Sequence, residues 1–396
     1  MALSLAERAR LISPSATIAM AQKARDLKAQ GRTIFDFTLG ESDFDTPENV
    51  GRAAWRAIER GKTRYTPAAG IPELRDAVAR LYRDRGLETT AKQVVISNGA
   101  KHALHNAFMA LVNPGDEVIV PAPFWVSYAD LIRLAGGVPI ILNTSESDDF
   151  KLKPDAFRAA VTPRTRLLLL NSPCNPTGMV YSVEEQTALA DAILETEVGV
   201  VSDEIYEQLI FDGTEPVCFA TLRPGLADRV VTISGVSKSY AMTGWRIGWA
   251  VAPPAIAGFM ADLQSQETSN PCSISQHAAL EAITGPQDSV REMREEFARR
   301  RLYALERVAQ LPDVTCRPPS GAFYLFLNVS AHYGRTLGER LVTNSTEFCM
   351  AALETAGVAL VMGQAFGADH YVRLSYATDL ETLSQGFDAL ADFLKK

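Results

Sequence analysis

Short apolar runs punctuate the first two thirds of the chain at intervals that suit strands alternating with helices. The runs are QVVIS (93–97), EVIVP (117–121), VPIIL (138–142), RLLLL (166–170), VGVVS (198–202) and RVVTIS (229–234), followed by WRIGWAVA (245–252). Most are rich in Val and Ile and continuous rather than alternating, the pattern of strands buried on both faces of a sheet covered by helices. Segments of helical texture separate several of them, such as KHALHNAFMALV and EEQTALADAILET. This alternation predicts an α/β domain on a mainly parallel sheet, assigned to residues 46–285.

The texture changes after Pro286. A charged, long-period stretch, SVREMREEFARRRLYALERVAQL, reads as an amphipathic helix with a solvated face. The strand-like runs GAFYLFLNV, GVALVMG and YVRLSYA follow, so residues 286–396 are expected to form a smaller α+β domain. Residues 1–45, with a helix around AMAQKARDLKAQG, are expected to pack with it. Repeats, low-complexity tracts and long linkers are absent from the sequence.

Composition narrows the function classes. Hydrophobic residues make up 47% and charged residues 22%, an ordinary globular balance. The formal net charge of −8 disfavours a nucleic-acid or anionic-membrane partner, which would call for a basic face. Cys174, Cys218, Cys272, Cys316 and Cys349 lie far apart and form no CxxC pair, so neither a disulfide framework nor a zinc site is expected. The opening MALSLAERARLI lacks the uninterrupted apolar core of a secretory signal. No stretch is apolar for long enough to span a bilayer. A cytoplasmic protein fits these features.

The richest segment is SGVSKSYAMTGWRIGWA (234–250), where Lys238 sits just past a buried strand. Open α/β sheets bind ligands at the carboxyl ends of their strands. A lysine there, flanked by Ser and Gly, is placed to form an imine once its pKa falls. Arg246, eight residues on, is placed to pair with a phosphate. In GVVSDEIYEQL (199–209), Asp203 ends an apolar strand, and a buried carboxylate needs a partner. Tyr206 follows three residues later. In LLLLNSPCNPTGMVYS (167–182), a strand runs into a polar turn that carries Asn175. In VISNGAKHALHNAFMALVNPGDEV (95–118), Asn98, Gly99 and Ala100 lead from a strand into a helix whose free N–H groups suit an anion. Trp125 of PAPFWVSYAD offers a flat ring for stacking, and Arg373 of HYVRLSYA offers a fork for a carboxylate.

Each feature taken alone also has a plain reading. Lys238 reads as a surface lysine, Asp203 as a helix cap, Asn175 as an Asn-Pro turn, Trp125 as core and Arg373 as a surface ion pair. His102 and His105 stand at i, i+3, but no carboxylate or third-ligand motif accompanies them in the sequence. They read as helix-packing residues, and no metal is expected.

Together, in this order, the segments resemble the class I aminotransferases of pyridoxal-phosphate fold type I. SKSYAMTGWRIG is specific to that family, and NPTG and SDEIY precede it in the family's order. The likeness runs from PSATIAM to VRLSYAT and is nearest to the bacterial aspartate aminotransferases of the subgroup that also holds prephenate aminotransferases. The resemblance implies a seven-stranded, mainly parallel sheet in a large domain and a small α+β domain. It implies pyridoxal 5'-phosphate as cofactor, with Lys238 as the Schiff-base lysine, Asp203 as partner of the ring nitrogen, and Tyr206 and Asn175 as donors to the ring's phenolic oxygen. Trp125 matches the stacking residue, and Gly99, Ala100, Lys101, Ser237 and Arg246 match the phosphate site. Tyr65 of TRYTPAAG matches a tyrosine that reaches the neighbouring subunit's phosphate, which implies a homodimer. Gly40 and Arg373 match the contacts to the substrate α-carboxylate, and Trp125 and Asn175 also border the substrate.

The implied activity is transamination between aspartate or glutamate and their 2-oxo acids. Lys101 matches a residue that binds the distal carboxylate in this subgroup, helped by Thr268 to Asn270 of the other subunit. Relatives active on prephenate often carry a basic residue where this chain has Ser13, and many relatives have Asn where it has Cys174. Aromatic amino acids, alanine, kynurenine and prephenate remain open as substrates, as does a β-lyase reaction on the same fold. A transcription-regulator sensor half would need an N-terminal DNA-binding domain, for which the likeness leaves no room. A dinucleotide dehydrogenase is disfavoured because no GxGxxG opens a helix after a strand.

Overall fold

The computed structural model describes residues 3–12 and 16–395. Ser13 lies outside the described residues. A two-residue strand β1 (Phe35–Asp36) comes first. Seven strands then build the large sheet: β2 (Val94–Ser97), β3 (Glu117–Ala122), β4 (Val138–Asn143), β5 (Thr165–Asn171), β6 (Gly199–Asp203), β7 (Val230–Gly235) and β8 (Gly248–Val251). Their order is β2-β8-β7-β6-β5-β3-β4. All run parallel except β8, which is antiparallel to both of its neighbours. The seven apolar runs of the sequence map one to one onto these strands.

The interior strands bury their apolar runs as their continuity predicts, and β7 is buried at every position. Strand β4 departs from that pattern. It forms the sheet's edge, where one side has no neighbouring strand, and Val138 and Ile141 are 45% and 37% exposed. Helices cover the sheet, among them Ala100–Leu111, Val183–Leu194 and Ser273–Thr284. Apolar clusters fill both sides: Ile96, Leu168, Val200 and Trp249 on one, Val95, Leu169, Val201 and Ile233 on the other.

The later strands are β9 (Thr315–Cys316), β10 (Tyr324–Asn328), the hairpin β11 (Thr336–Leu337) and β12 (Arg340–Leu341), then β13 (Val358–Ala359), β14 (Val361–Met362) and β15 (Tyr371–Ser375). A four-stranded antiparallel sheet runs β14-β15-β10-β9. Strand β1 pairs in parallel with β13, so the N-terminal segment joins the C-terminal part of the chain. Phe297 of the long helix Asp288–Val308 packs in one cluster with Phe323, Leu325 and Phe387.

That helix is less solvated than its charge suggests. Arg300 and Arg301 are buried, each with a carboxylate from elsewhere. Arg300 donates to Asp43 at 2.7 Å, and Arg301 forks onto Asp212 at 2.7 and 2.6 Å. A lone buried guanidinium would be costly, and these pairings remove that cost.

One close approach fixes how the large sheet meets the helix Ala100–Leu111. A side-chain carbon at Gly248 would lie 2.3 Å from the backbone N of Ala100 and 2.6 Å from the carbonyl carbon of Gly99. Both obstacles are main chain and cannot swing aside. Gly248→Ala should therefore lose about 1–3 kcal/mol of stability by overpacking, read as a lower denaturant midpoint. An unchanged midpoint would mean that the helix start is free to retreat.

Candidate active site

The carboxyl ends of β5, β6 and β7 stop side by side at Asn171, Asp203 and Gly235. A cavity of about 320 Å³ opens over them. Its wall carries Lys238, Asp203, Tyr206, Asn175, Trp125 and Arg246. Ala100, Lys101, Ser237, Gly40 and Arg373 complete it from other elements. Gly99 stands just behind, against Arg246: a side-chain carbon there would fall 2.4 Å from the guanidinium Nη2. Its φ of +84° also favours glycine. Tyr65 does not line this cavity; it is 89% exposed. Thr268 and Ser269 are exposed as well.

Asp203 is 3% exposed, held by a 2.7 Å bond from the Tyr128 hydroxyl to Oδ2 and a 3.2 Å bond from the Ile205 N–H to Oδ1. Burial pushes its pKa up to about 6, against the pull of those donors. At neutral pH it stays mostly ionised. It is a buried anion whose hydrogen bonds come from neutral groups. The Asp203 carbonyl accepts from Asn171 Nδ2 at 2.9 Å, and Asn171 Oδ1 accepts from the Asn175 N–H at 3.0 Å. One asparagine thus ties the β6 end to the loop that carries Asn175.

Lys238 follows β7 and donates to the carbonyl of Gly40 rather than to a carboxylate. Burial lowers its pKa to about 8, helped by the nearby Arg373 cation. Its Nζ lies 5.8 Å from the centre of the Tyr206 ring. Arg246 adopts a left-handed backbone, φ +57°, and donates to the carbonyls of Thr243 and Asn98 at 2.9 and 3.3 Å. It therefore stands beside the start of the helix Ala100–Leu111, where free N–H groups and a cation favour one anion. Lys101 Nζ lies 4.8 Å from the centre of the Trp125 ring, its pKa lowered by burial and by Arg246.

Arg373 reaches the cavity from β15. It is 2% exposed, donates to Asn175 Oδ1 at 2.9 Å and to the Thr38 carbonyl at 2.7 Å, and lies 4.4 Å from the centre of the Tyr324 ring. The guanidinium is thus held flat while its Nε is left without a partner.

Sequence reasoning missed several residues of this wall. Tyr128 and Tyr324 line the cavity, as do Asn171, Glu41 and Thr243. Tyr128 stands three residues after Trp125, a spacing that puts both near one face of the turn into the helix Tyr128–Leu134. Tyr324 looks like an ordinary strand residue in GAFYLFLNV. Cys174 sits behind the wall, its thiol facing the Pro123 carbonyl at 3.7 Å.

A carboxylate does accompany His102 and His105, contrary to the sequence expectation. Glu267 ends the helix Pro254–Glu267 and meets His102 Nε2 at 3.3 Å and His105 Nε2 at 3.0 Å. The fold brings it across a long sequence gap, so no local spacing announces it. His102 Nδ1 accepts from the Asn98 N–H at 3.3 Å and so braces the turn before Gly99. Among the described residues no group of three or more His, Cys, Asp or Glu is arranged to hold a metal.

Residues 32–390 match the family described as Aminotransferase class I and II. The chain belongs to this family. As an aminotransferase it catalyses amino-group transfer. It is 45% identical to the aspartate aminotransferase of Geobacillus stearothermophilus over 99% of both chains. It is 46% identical to an aspartate/prephenate aminotransferase of Cereibacter sphaeroides over 94% of each. The structure of Thermus thermophilus aspartate aminotransferase with maleate superimposes with a TM-score of 0.93 at 42% identity, covering 99% of this aminotransferase and all of that chain. The fold is that of fold type I, with the seven-stranded sheet that the resemblance implies.

The lowered pKa of Lys238 has a direct readout in the ligand-free aminotransferase. Only a neutral amine attacks an acylating reagent. Labelling of Lys238, followed by peptide mass, should rise with pH up to about 8 and level off above it. An ordinary lysine keeps gaining reactivity to about pH 10, and such a profile at Lys238 would contradict the buried-amine account.

Proposed function

We propose that this aminotransferase is a pyridoxal-phosphate-dependent aspartate:2-oxoglutarate aminotransferase, acting as a cytoplasmic homodimer. The observation that carries the reading is the cavity itself: a partly buried amine and a buried carboxylate face one space without forming an ion pair with each other. Such a pair of groups awaits a guest that brings both an aldehyde and a cationic ring nitrogen.

The residues fit that cofactor. Lys238 would hold the aldehyde carbon and Asp203 the protonated nitrogen. Trp125 would cover one ring face. Arg246, Ser237 and the helix start at Gly99, Ala100 and Lys101 would hold the phosphate, in a cradle that a side chain at position 99 would fill. Tyr206 and the Asn175 amide would donate to the phenolic oxygen. When bound, the cofactor supplies an electron sink and carries the amino group between two half-reactions.

The chain's own groups do the rest. Asp203 keeps the ring nitrogen protonated, because its charge is otherwise uncompensated in a buried site. Once the substrate's amino group has taken its place, the Lys238 amine, neutral in a useful fraction near its pKa of about 8, would take the Cα proton and deliver it to the carbon that Lys238 had held. Arg373, with its plane fixed by Asn175 and Thr38, binds the α-carboxylate together with Gly40. That anchor fixes which Cα bond faces the base.

Aspartate is favoured because Lys101 stands at the cavity mouth with no hydrogen-bonded carboxylate, beside Trp125. The names of the relatives and the maleate in the Thermus structure support a dicarboxylate. The name aspartate/prephenate aminotransferase on one relative keeps prephenate as the second reading. The exposure of Tyr65, Thr268 and Ser269, away from this chain's cavity, supports a second copy whose site they complete. Five free cysteines support a reducing compartment, and no helix of the described residues is long and apolar enough to cross a membrane. We further read residues 46–285 as a large domain and residues 286–396 as a small one packed with residues 1–45. The confinement of the seven-stranded sheet to Val94–Val251 supports that division.

Purified protein loaded with the cofactor should show a visible absorption band. Lys238→Ala should lose both that band and nearly all turnover; a variant with full activity would refute the reading. For substrate choice, Lys101→Ala should lower kcat/KM for aspartate at least about tenfold, as expected for one lost charged hydrogen bond. The loss for alanine should be much smaller. Equal losses on both would remove the distal-carboxylate role, and a higher kcat/KM for prephenate than for aspartate in the wild type would favour the second reading.

A further inference from the structure

We propose that Tyr324 is a positioning residue that keeps the Tyr206 hydroxyl oriented as a donor into the cavity. The inference rests on the reading of Tyr206 as a donor to the cofactor's phenolic oxygen. The two hydroxyls meet at 2.7 Å, and both side chains are buried. One of them must donate to the other, and the choice decides what Tyr206 can do. If Tyr206 donates to Tyr324, its only O–H is spent on the wall. If Tyr324 donates to Tyr206, the Tyr206 proton is free to point at a guest.

One neighbour selects the second arrangement. The Arg373 guanidinium lies 4.4 Å from the centre of the Tyr324 ring. A cation over a phenol makes its O–H the stronger donor. Burial pushes both hydroxyls above their ordinary pKa, and the Arg373 charge offsets part of that push at each. The direct contact between cation and ring belongs to Tyr324, which makes it the donor of the pair. Space is also reserved for its hydroxyl: a side-chain carbon at Gly40 would lie 3.1 Å from the Tyr324 oxygen. The ring and the hydroxyl of Tyr324 thus serve different partners. The ring supports the substrate-binding Arg373, and the hydroxyl sets Tyr206.

This separation gives a test on the cofactor-loaded enzyme. The pH midpoint of the visible band reports how well the phenolic oxygen's negative charge is held. In Tyr324→Phe the ring stays under Arg373, so KM for aspartate should change less than about twofold. The band midpoint should rise by roughly half a pH unit, the size of one weakened neutral hydrogen bond. In a Tyr206→Phe background the same change should add no further shift, because the group through which Tyr324 acts is gone. Tyr324→Leu, which removes ring and hydroxyl, should raise KM as well as the midpoint. An unmoved midpoint in Tyr324→Phe, or an equal shift with and without the Tyr206 hydroxyl, would overturn the proposal. A wild-type protein with no visible band would instead sink the cofactor reading on which the proposal rests.

Discussion

The site depends on keeping a carboxylate and an amine in one buried cavity without letting them neutralise each other. An ion pair between Asp203 and Lys238 would satisfy both groups and leave nothing for a guest to do. The sheet prevents it. Asp203 ends β6 in register with Ile233 of β7, and four residues separate that partner from Lys238. Each group is then tied down by a neutral partner: Asp203 by the Tyr128 hydroxyl, Lys238 by the Gly40 carbonyl. Neutral partners hold position without cancelling charge. The outcome is a raised pKa at one group and a lowered pKa at the other, both caused first by burial. The unbalanced charges are stored in the fold and are available to whatever binds.

The anion side of the cavity is built by a different device. No side-chain carbon fits at Gly99 or Gly248, so the strand β8, the helix start and the Arg246 guanidinium draw together. Arg246 stands there on a left-handed backbone and donates to the Asn98 carbonyl. A cation and a set of backbone N–H groups then share one small space. His102 steadies the turn from behind, with Glu267 behind it in turn. The cradle is thus a packing consequence of two glycines, and its charge comes from a single arginine.

Much of this was legible in the sequence, and the reasons are local. Continuous apolar runs marked all seven strands, and in all but β4 burial on both faces leaves no polar alternation to confuse the reading. Lys238, Asp203, Asn175 and Gly99 all sit where such a run gives way to turn chemistry, so strand ends exposed them as candidates. Tyr128 and Tyr324 were not legible. Each is almost fully buried, and a buried tyrosine in an apolar setting looks like core until its hydroxyl's partner is known. Those partners, Asp203 and Tyr206, are 75 and 118 residues away. Glu267 was hidden in the same way, and so was the burial of Arg300 and Arg301, whose carboxylates come from other parts of the chain. The exposure of β4 escaped because an apolar run states that a strand is stable in a sheet, not where in the order it stands.

What the sequence keeps apart, the small sheet joins into one mechanical unit. Arg373 on β15 faces Phe326 of β10 in the ladder, and Tyr324 on β10 faces Ser375 of β15. The two residues therefore move as neighbours on paired strands, with the guanidinium resting on the phenol ring. Arg373 in turn grips Asn175 and the Thr38 carbonyl, and Tyr324 grips Tyr206. Any displacement of this sheet relative to the large one must disturb both grips at once. Arg373 and Tyr324 thus meet twice, through the strand pairing and through the guanidinium 4.4 Å from the centre of the phenol ring, so the Asn175 wall and the Tyr206 wall of the cavity are fastened to one sheet.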